Sequence, residues 1–142
     1  NQVAWGVVPI TEEEMSVYVM EHYRLPTIRM RRFGIRTDGF VSLHAPHAGG
    51  EMVTKPVRFT GRRLVVNYAT SAVGSLRVEL QDAAGRTIEG HDLGAANEHF
   101  GNSIQQVIGW RGGQDVGRLA ASPVRLRFVM KDADLFSFRF VE

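Results

Sequence analysis

Apolar and polar side chains alternate in steps of two along most of the chain. Leu76, Val78 and Leu80 alternate with Arg77, Glu79 and Gln81. Val124, Leu126, Phe128 and Met130 alternate with Arg125, Arg127, Val129 and Lys131, and Phe136, Phe138 and Phe140 with Ser137 and Arg139. An extended backbone turns successive side chains to opposite faces, so each run carries one apolar and one polar face. Half-buried antiparallel strands read this way; helices and parallel strands covered on both sides do not. The same pattern predicts strands over Val3–Val8, Met15–Tyr23, Thr27–Arg36, Phe40–His44, Val57–Thr60, Leu64–Ala69 and Gln105–Trp110.

Turn-forming residues fall between these runs. Asp38-Gly39 suits a tight hairpin, because glycine accepts positive φ. Asp82-Ala-Ala-Gly85 reads as a longer hairpin turn, and Asp132-Ala-Asp134 as the turn joining the last two strands. Thr11-Glu-Glu-Glu14 has the spacing of a capping box and predicts one helical turn. Gly90–Ser103 has no period and is the longest loop-like stretch, a length that marks function or mobility. The fold class that follows is all-β, an antiparallel two-sheet sandwich.

The 142 residues make one domain, 1–142, with 1–26 as its flanking segment. A chain this long buries roughly 68–70% of its unfolded surface, so a core of its own is expected. Apolar residues are 44% and charged residues 23%, a globular balance. The chain opens on Asn1 and goes straight into strand-like sequence, so it is expected to be a piece of a longer protein. No basic and then apolar leader opens it, and no apolar run reaches the ~18 residues of a membrane span.

Chemistry is sparse. Without cysteine there are no disulfides or thiolate metal sites. Seventeen basic against fifteen acidic residues is too even for a dedicated nucleic-acid binder. The cluster Arg29, Arg31, Arg32 is either a phosphate patch or a solvated strand face. No nucleophile-elbow motif is present. His44 and His47 straddle Pro46, so they cannot share a helix face as zinc-hydrolase histidines do. Gly109–Gly113 lacks the Lys-Ser/Thr ending of a phosphate loop. Glu12–Glu14 offers carboxylates on an exposed turn, with nothing to separate their pKa values. Asp132 and Asp134 either bond their own turn or, with backbone carbonyls, hold a structural calcium.

The last third carries a longer pattern: Val107-Ile-Gly-Trp110, Arg111-Gly-Gly-Gln-Asp115, Leu119, Pro123-Val-Arg-Leu-Arg-Phe128, Lys131-Asp-Ala-Asp-Leu135 and Phe136-Ser-Phe-Arg-Phe140. Upstream stand Trp5-Gly-Val-Val-Pro9, Glu21-His-Tyr23, Arg32-Phe33, Asp38-Gly-Phe-Val-Ser42, Ala48-Gly-Gly50 and Thr54-Lys-Pro56. Together they resemble the C-terminal β-sandwich of bacterial proteins built on a glycosidase-type five-bladed propeller, in the invertase- and arabinosidase-like clan. The resemblance implies a concanavalin-like or jelly-roll sandwich appended to a sugar-processing propeller. In such proteins the catalytic acids belong to the propeller. The chain is then expected to be a non-catalytic accessory module of a secreted or periplasmic carbohydrate-active protein, with carbohydrate and the parent propeller as partners.

A pyranose ring offers an apolar C–H face for aromatic stacking and a hydroxyl rim for planar polar groups. Trp110, Arg111 and Asp115 supply a stacking surface, a fork donor and an acceptor. The other reading makes Trp110 a plug at the sandwich edge and Asp115 a turn cap. His91, Asn97 and His99 are placed to rim a cleft from the long loop. Tyr23 stands at a strand end, Tyr18 is expected in the core, and the eight phenylalanines are core by default. Two rivals remain: a purely structural or protein-interaction sandwich, which needs an exposed apolar patch, and a small glycosidase, which needs a close carboxylate pair in a cleft.

Overall fold

The computed structural model describes residues 1–142 and divides them into two compact units, Asn1–Val41 and Ser42–Glu142. The chain is all-β with two antiparallel sheets, one in each unit. The boundary differs from the expected single domain with a flank at 1–26. The run from Thr27 does not join the later strands; it pairs only with the strand before it.

In the first unit, β1 (Gln2–Val3) and β2 (Val8–Pro9) both lie against β3 (Glu14–Glu21), whose other side pairs with β4 (Arg29–Arg36). The predicted strand Val3–Val8 is thus broken in its middle, at Gly6 with φ 90. Thr11–Glu14 forms no helical turn. The Thr11 hydroxyl accepts from the Glu13 and Glu14 amides, as a cap would, but Ile10 N–H donates to Glu14 O and closes a hairpin. Asp38-Gly39 is likewise no hairpin turn. Gly39 N–H returns to Arg36 O, and the chain then leaves the sheet.

The second unit is built on two long strands, β7 (Arg63–Asp82) and β9 (Val124–Val141), paired along their length. Along the other edge of β9 lie β5 (Leu43–Ala45) and β6 (Gly50–Val53), and β8 (Asn102–Val107) pairs with the first half of β7. Each long strand replaces two predicted shorter ones. Asp132-Ala-Asp134 is a bend within β9 rather than a turn between strands. Residues 71–74 bulge from β7 opposite Asp132, which takes φ 43. Gly74 sits in this bend, where a Cβ would lie 2.4 Å from Asp132 O.

The bulges let the sheet fold over on itself. Ten residues of strand span about 33 Å, yet the Phe128 and Phe138 rings are 5.5 Å apart. One core therefore takes Leu64, Val66 and Tyr68 from one half of β7 and Leu76, Val78 and Leu80 from the other, closed by Leu126, Phe128 and Leu135. The bends also shift the inward parity of β9. Phe138 and Phe140 pack on the core, whereas Phe136 falls beside the second bulge and stays half-buried. Phe33, Phe40 and Phe100 are exposed, against the expectation that every phenylalanine is core. Tyr18, also expected inside, is half-buried.

Candidate functional site

Trp110 follows the edge strand β8 by three residues. Ile108 N–H donates to Leu64 O, and Trp110 and Gly113 exchange backbone bonds of 2.8 and 2.9 Å across a tight turn. This turn swings the indole inward. The ring is 3% exposed and its Nε1–H donates to Val78 O at 2.9 Å, tying the β8 layer to the far half of β7. The His91 ring lies against it, centroids 4.8 Å apart. Trp110 therefore plugs the core and presents no face for a sugar, which corrects its reading as a stacking platform. His91 holds the loop to that plug, with Nδ1 3.2 Å from Glu89 O.

The long loop is held from below by Glu79, which alternation placed on the solvent face. Glu79 is 4% exposed. Its carboxylate accepts from Gln81 Nε2 at 2.8 Å, Thr87 Oγ1 at 3.3 Å and the Leu93 amide at 3.3 Å. Arg127 reaches it at 3.5 Å and bonds Glu51 at 2.6 Å. Three of these partners come from elsewhere in the chain, so no local spacing marks them. His99 pairs its backbone with Leu76 in both directions. Its imidazole is half-buried, its Nε2 has no hydrogen-bond partner, and burial holds its pKa below the ordinary value.

Asp115 is exposed and forms an ion pair with Arg62, whose Nε–H donates at 3.1 Å; its other oxygen caps the Gly117 amide at 2.8 Å. The guanidinium holds the carboxyl below the usual carboxylate range, and Asp115 in turn raises Arg62. The pair separates two open clefts of about 500 and 380 Å³. Thr60, Gly61 and Arg118 line the first, and Arg63, Gln114 and Glu142 the second. Arg62 lies 53 residues from Asp115, which hides the pair from sequence patterns. Arg111 is exposed and lines neither cleft, so Trp110, Arg111 and Asp115 do not assemble into one site.

Tyr23 belongs to the first unit. It is 44% exposed, with the Arg24 guanidinium 5.5 Å from its ring centroid. Asp134 accepts from Ser42 Oγ at 2.8 Å and contacts His44 Nδ1 at 3.2 Å, while Asp132 occupies the bend of β9. The His44 imidazole stands beside Asp134. No group of three or more His, Cys, Asp or Glu side chains is placed to hold a metal ion.

The first unit offers a different feature. None of the buried hydrophobic residues of the protein lies in 1–41, where Ser16 alone is buried. Exposed large hydrophobics concentrate there instead, among them Val3, Trp5, Val8, Met30, Phe33 and Phe40. The register gathers Val3, Pro9, Met15, Val17, Val19, Phe33 and Ile35 on one face of the sheet. The only ionic end of that face is Glu21 with Arg29 and Arg31, at 2.7 and 3.3 Å.

Comparison with family models, curated proteins and solved structures finds no match.

Proposed function

We propose that the protein is a non-catalytic accessory module that docks on another protein surface through its N-terminal sheet. The observation that carries this reading is a sheet of 41 residues with no buried hydrophobic residue and one largely apolar face. A small four-stranded sheet gains stability when its apolar face is covered, and a face with Val3 and Phe33 exposed and Met15, Val17, Val19 and Ile35 half-buried offers an interaction surface. The resemblance in the sequence makes a sugar-processing propeller the first partner to try. A catalytic role has little to work with: the carboxyls whose pKa values depart from normal, Glu21, Asp82 and Asp115, are all held low by hydrogen bonds and arginines, whereas a general acid must be raised.

Mixing the protein with a purified five-bladed propeller domain of the invertase- or arabinosidase-like clan tests docking by gel filtration. A stable complex is expected, lost in the double variant Val17→Ser/Phe33→Ser, whose C-terminal core still unfolds at the wild-type urea concentration. A complex that survives the double variant overturns the apolar face as the docking surface.

The Arg62–Asp115 clefts favour a second reading, weak glycan binding by a fork donor and an acceptor without an aromatic platform. Affinity gels with a polysaccharide panel test it. Retardation that disappears in Asp115→Asn supports this reading, and no retardation with any glycan removes it.

A further inference from the structure

The docking sheet has a free edge, and its chemistry is specific. β4 pairs with β3 and with no other strand. Thr37 N–H donates to Glu13 O, which fixes the phase of the ladder: odd-numbered residues of β4 bond to β3. Ala4 N–H donating to Tyr18 O agrees, since the even residues of β3 then face β1 and β2. The backbone groups of Met30, Arg32 and Gly34 therefore point away from the sheet, and all three residues are exposed. Charge on this edge has one sign. Residues 24–36 hold five arginines (24, 29, 31, 32 and 36) and no acid. Arg29 and Arg31 share Glu21, and Arg32 takes Glu14 at 3.2 Å.

We propose that the outer edge of β4 accepts an added strand from a partner, an extended segment that alternates acidic and apolar residues. Strand addition would satisfy the outward amides and carbonyls of Met30, Arg32 and Gly34. Alternation turns the guest's acidic residues to one face, beside Arg32 and Arg36, and its apolar residues to the other, beside Phe33 and Ile35. A second copy of this chain is the poorer occupant. Edge-to-edge pairing of two β4 strands brings arginine rows together, and like charges directly opposite are destabilising. The proposal rests on the docking reading above and names the guest chemistry at that sheet.

Fluorescence anisotropy with the full chain and a labelled ten-residue peptide of alternating valine and glutamate tests it. Saturable binding is expected, weakened at least tenfold by Gly34→Pro. That substitution removes an outward N–H without touching the β3 ladder, and the new Cβ would meet only the rotatable Glu14 carboxylate at 3.0 Å. Amide exchange at Met30, Arg32 and Gly34 is expected to slow in the complex. A peptide of equal charge with prolines in place of the valines should bind at least tenfold more weakly. Equal binding of the proline peptide, or equal affinity of Gly34→Pro, overturns strand addition in favour of charge attraction alone. No binding of the valine–glutamate peptide overturns the proposal as well. A propeller complex that persists in Gly34→Pro would leave the docking reading standing without it.

Discussion

Replacing Trp110 separates a core role from a surface role. The indole is 3% exposed, donates to Val78 O at 2.9 Å and packs on the His91 ring. Trp110→Ala removes this packing and leaves a cavity, a change that costs about 3–5 kcal/mol. Trp110→Phe keeps most of the packing but strands the Val78 carbonyl, which costs about 1–3 kcal/mol. Both are large against a total stability of about 5–15 kcal/mol. With a urea slope of about 2 kcal/mol/M, a loss of about 4 kcal/mol lowers the midpoint by about 2 M. Far-UV circular dichroism follows the unfolding. Iodide quenching supplies a check on burial, because the other tryptophan, Trp5, is fully exposed. Roughly half of the emission should be quenchable, and Trp5→Phe should leave only the protected half. If Trp110→Ala unfolds at the wild-type urea concentration, or if Trp5→Phe leaves freely quenched emission, the indole is not in the core.

Gly74→Ala places a Cβ 2.4 Å from Asp132 O and 2.7 Å from Lys131 O, backbone atoms that cannot rotate away. A loss of at least about 1–3 kcal/mol is expected in urea unfolding. Glu79→Ala strips the acceptor from Gln81, Thr87 and the Leu93 amide, so limited proteolysis should cut within residues 83–101 faster than in the wild type. Burial holds the His99 imidazole below its ordinary 6.5, so on acidification the unfolded chain takes up a proton before the folded one. Stability should be flat above about pH 7.5, fall as pH drops through 6.5, and level off below the folded value. His99→Gln should remove that part of the slope; an unchanged urea midpoint profile would place the titration elsewhere.

The alternation of apolar residues reveals which segments are strands but not how long they are. Asp82–Gly85 is a hairpin turn as expected, with Gly85 at φ 87 and Gly85 N–H donating to Asp82 O. Asp132-Ala-Asp134 carries similar residues and is instead a bend within one strand. Both need residues that tolerate positive φ, and the choice between them depends on register with a strand some sixty residues away. The bend reverses inward parity along β9 and the second bulge, at Phe136, restores it, which is why Phe136 stays out of the core while Phe138 and Phe140 enter it. Among the candidate site residues, a tryptophan between Gly109 and Arg111 reads from the sequence as either a platform or a plug. Only the bond to Val78 O, 32 residues away, reveals it as a plug. Glu79 errs in the opposite direction: its alternation is regular, yet the returning loop covers its face.

The arginines of β4 can act in two ways that are physically one. Charge on an exposed edge strand discourages a second copy from pairing, because an unpaired row of amides and carbonyls is otherwise a template for any extended chain. The repulsion that excludes self is attraction for an acidic guest, so protection against aggregation and partner selection come from the same side chains. What distinguishes this edge from a merely protected one is its setting. A strand that is only guarded usually has its apolar side chains in a core, whereas β4 exposes Met30 by 64% and Phe33 by 40% between its arginines. Exposing apolar groups beside a free edge gains nothing for an isolated sheet, and they are buried only when another surface arrives. Burial of those groups would supply the affinity, and the arginines would decide which strand is admitted.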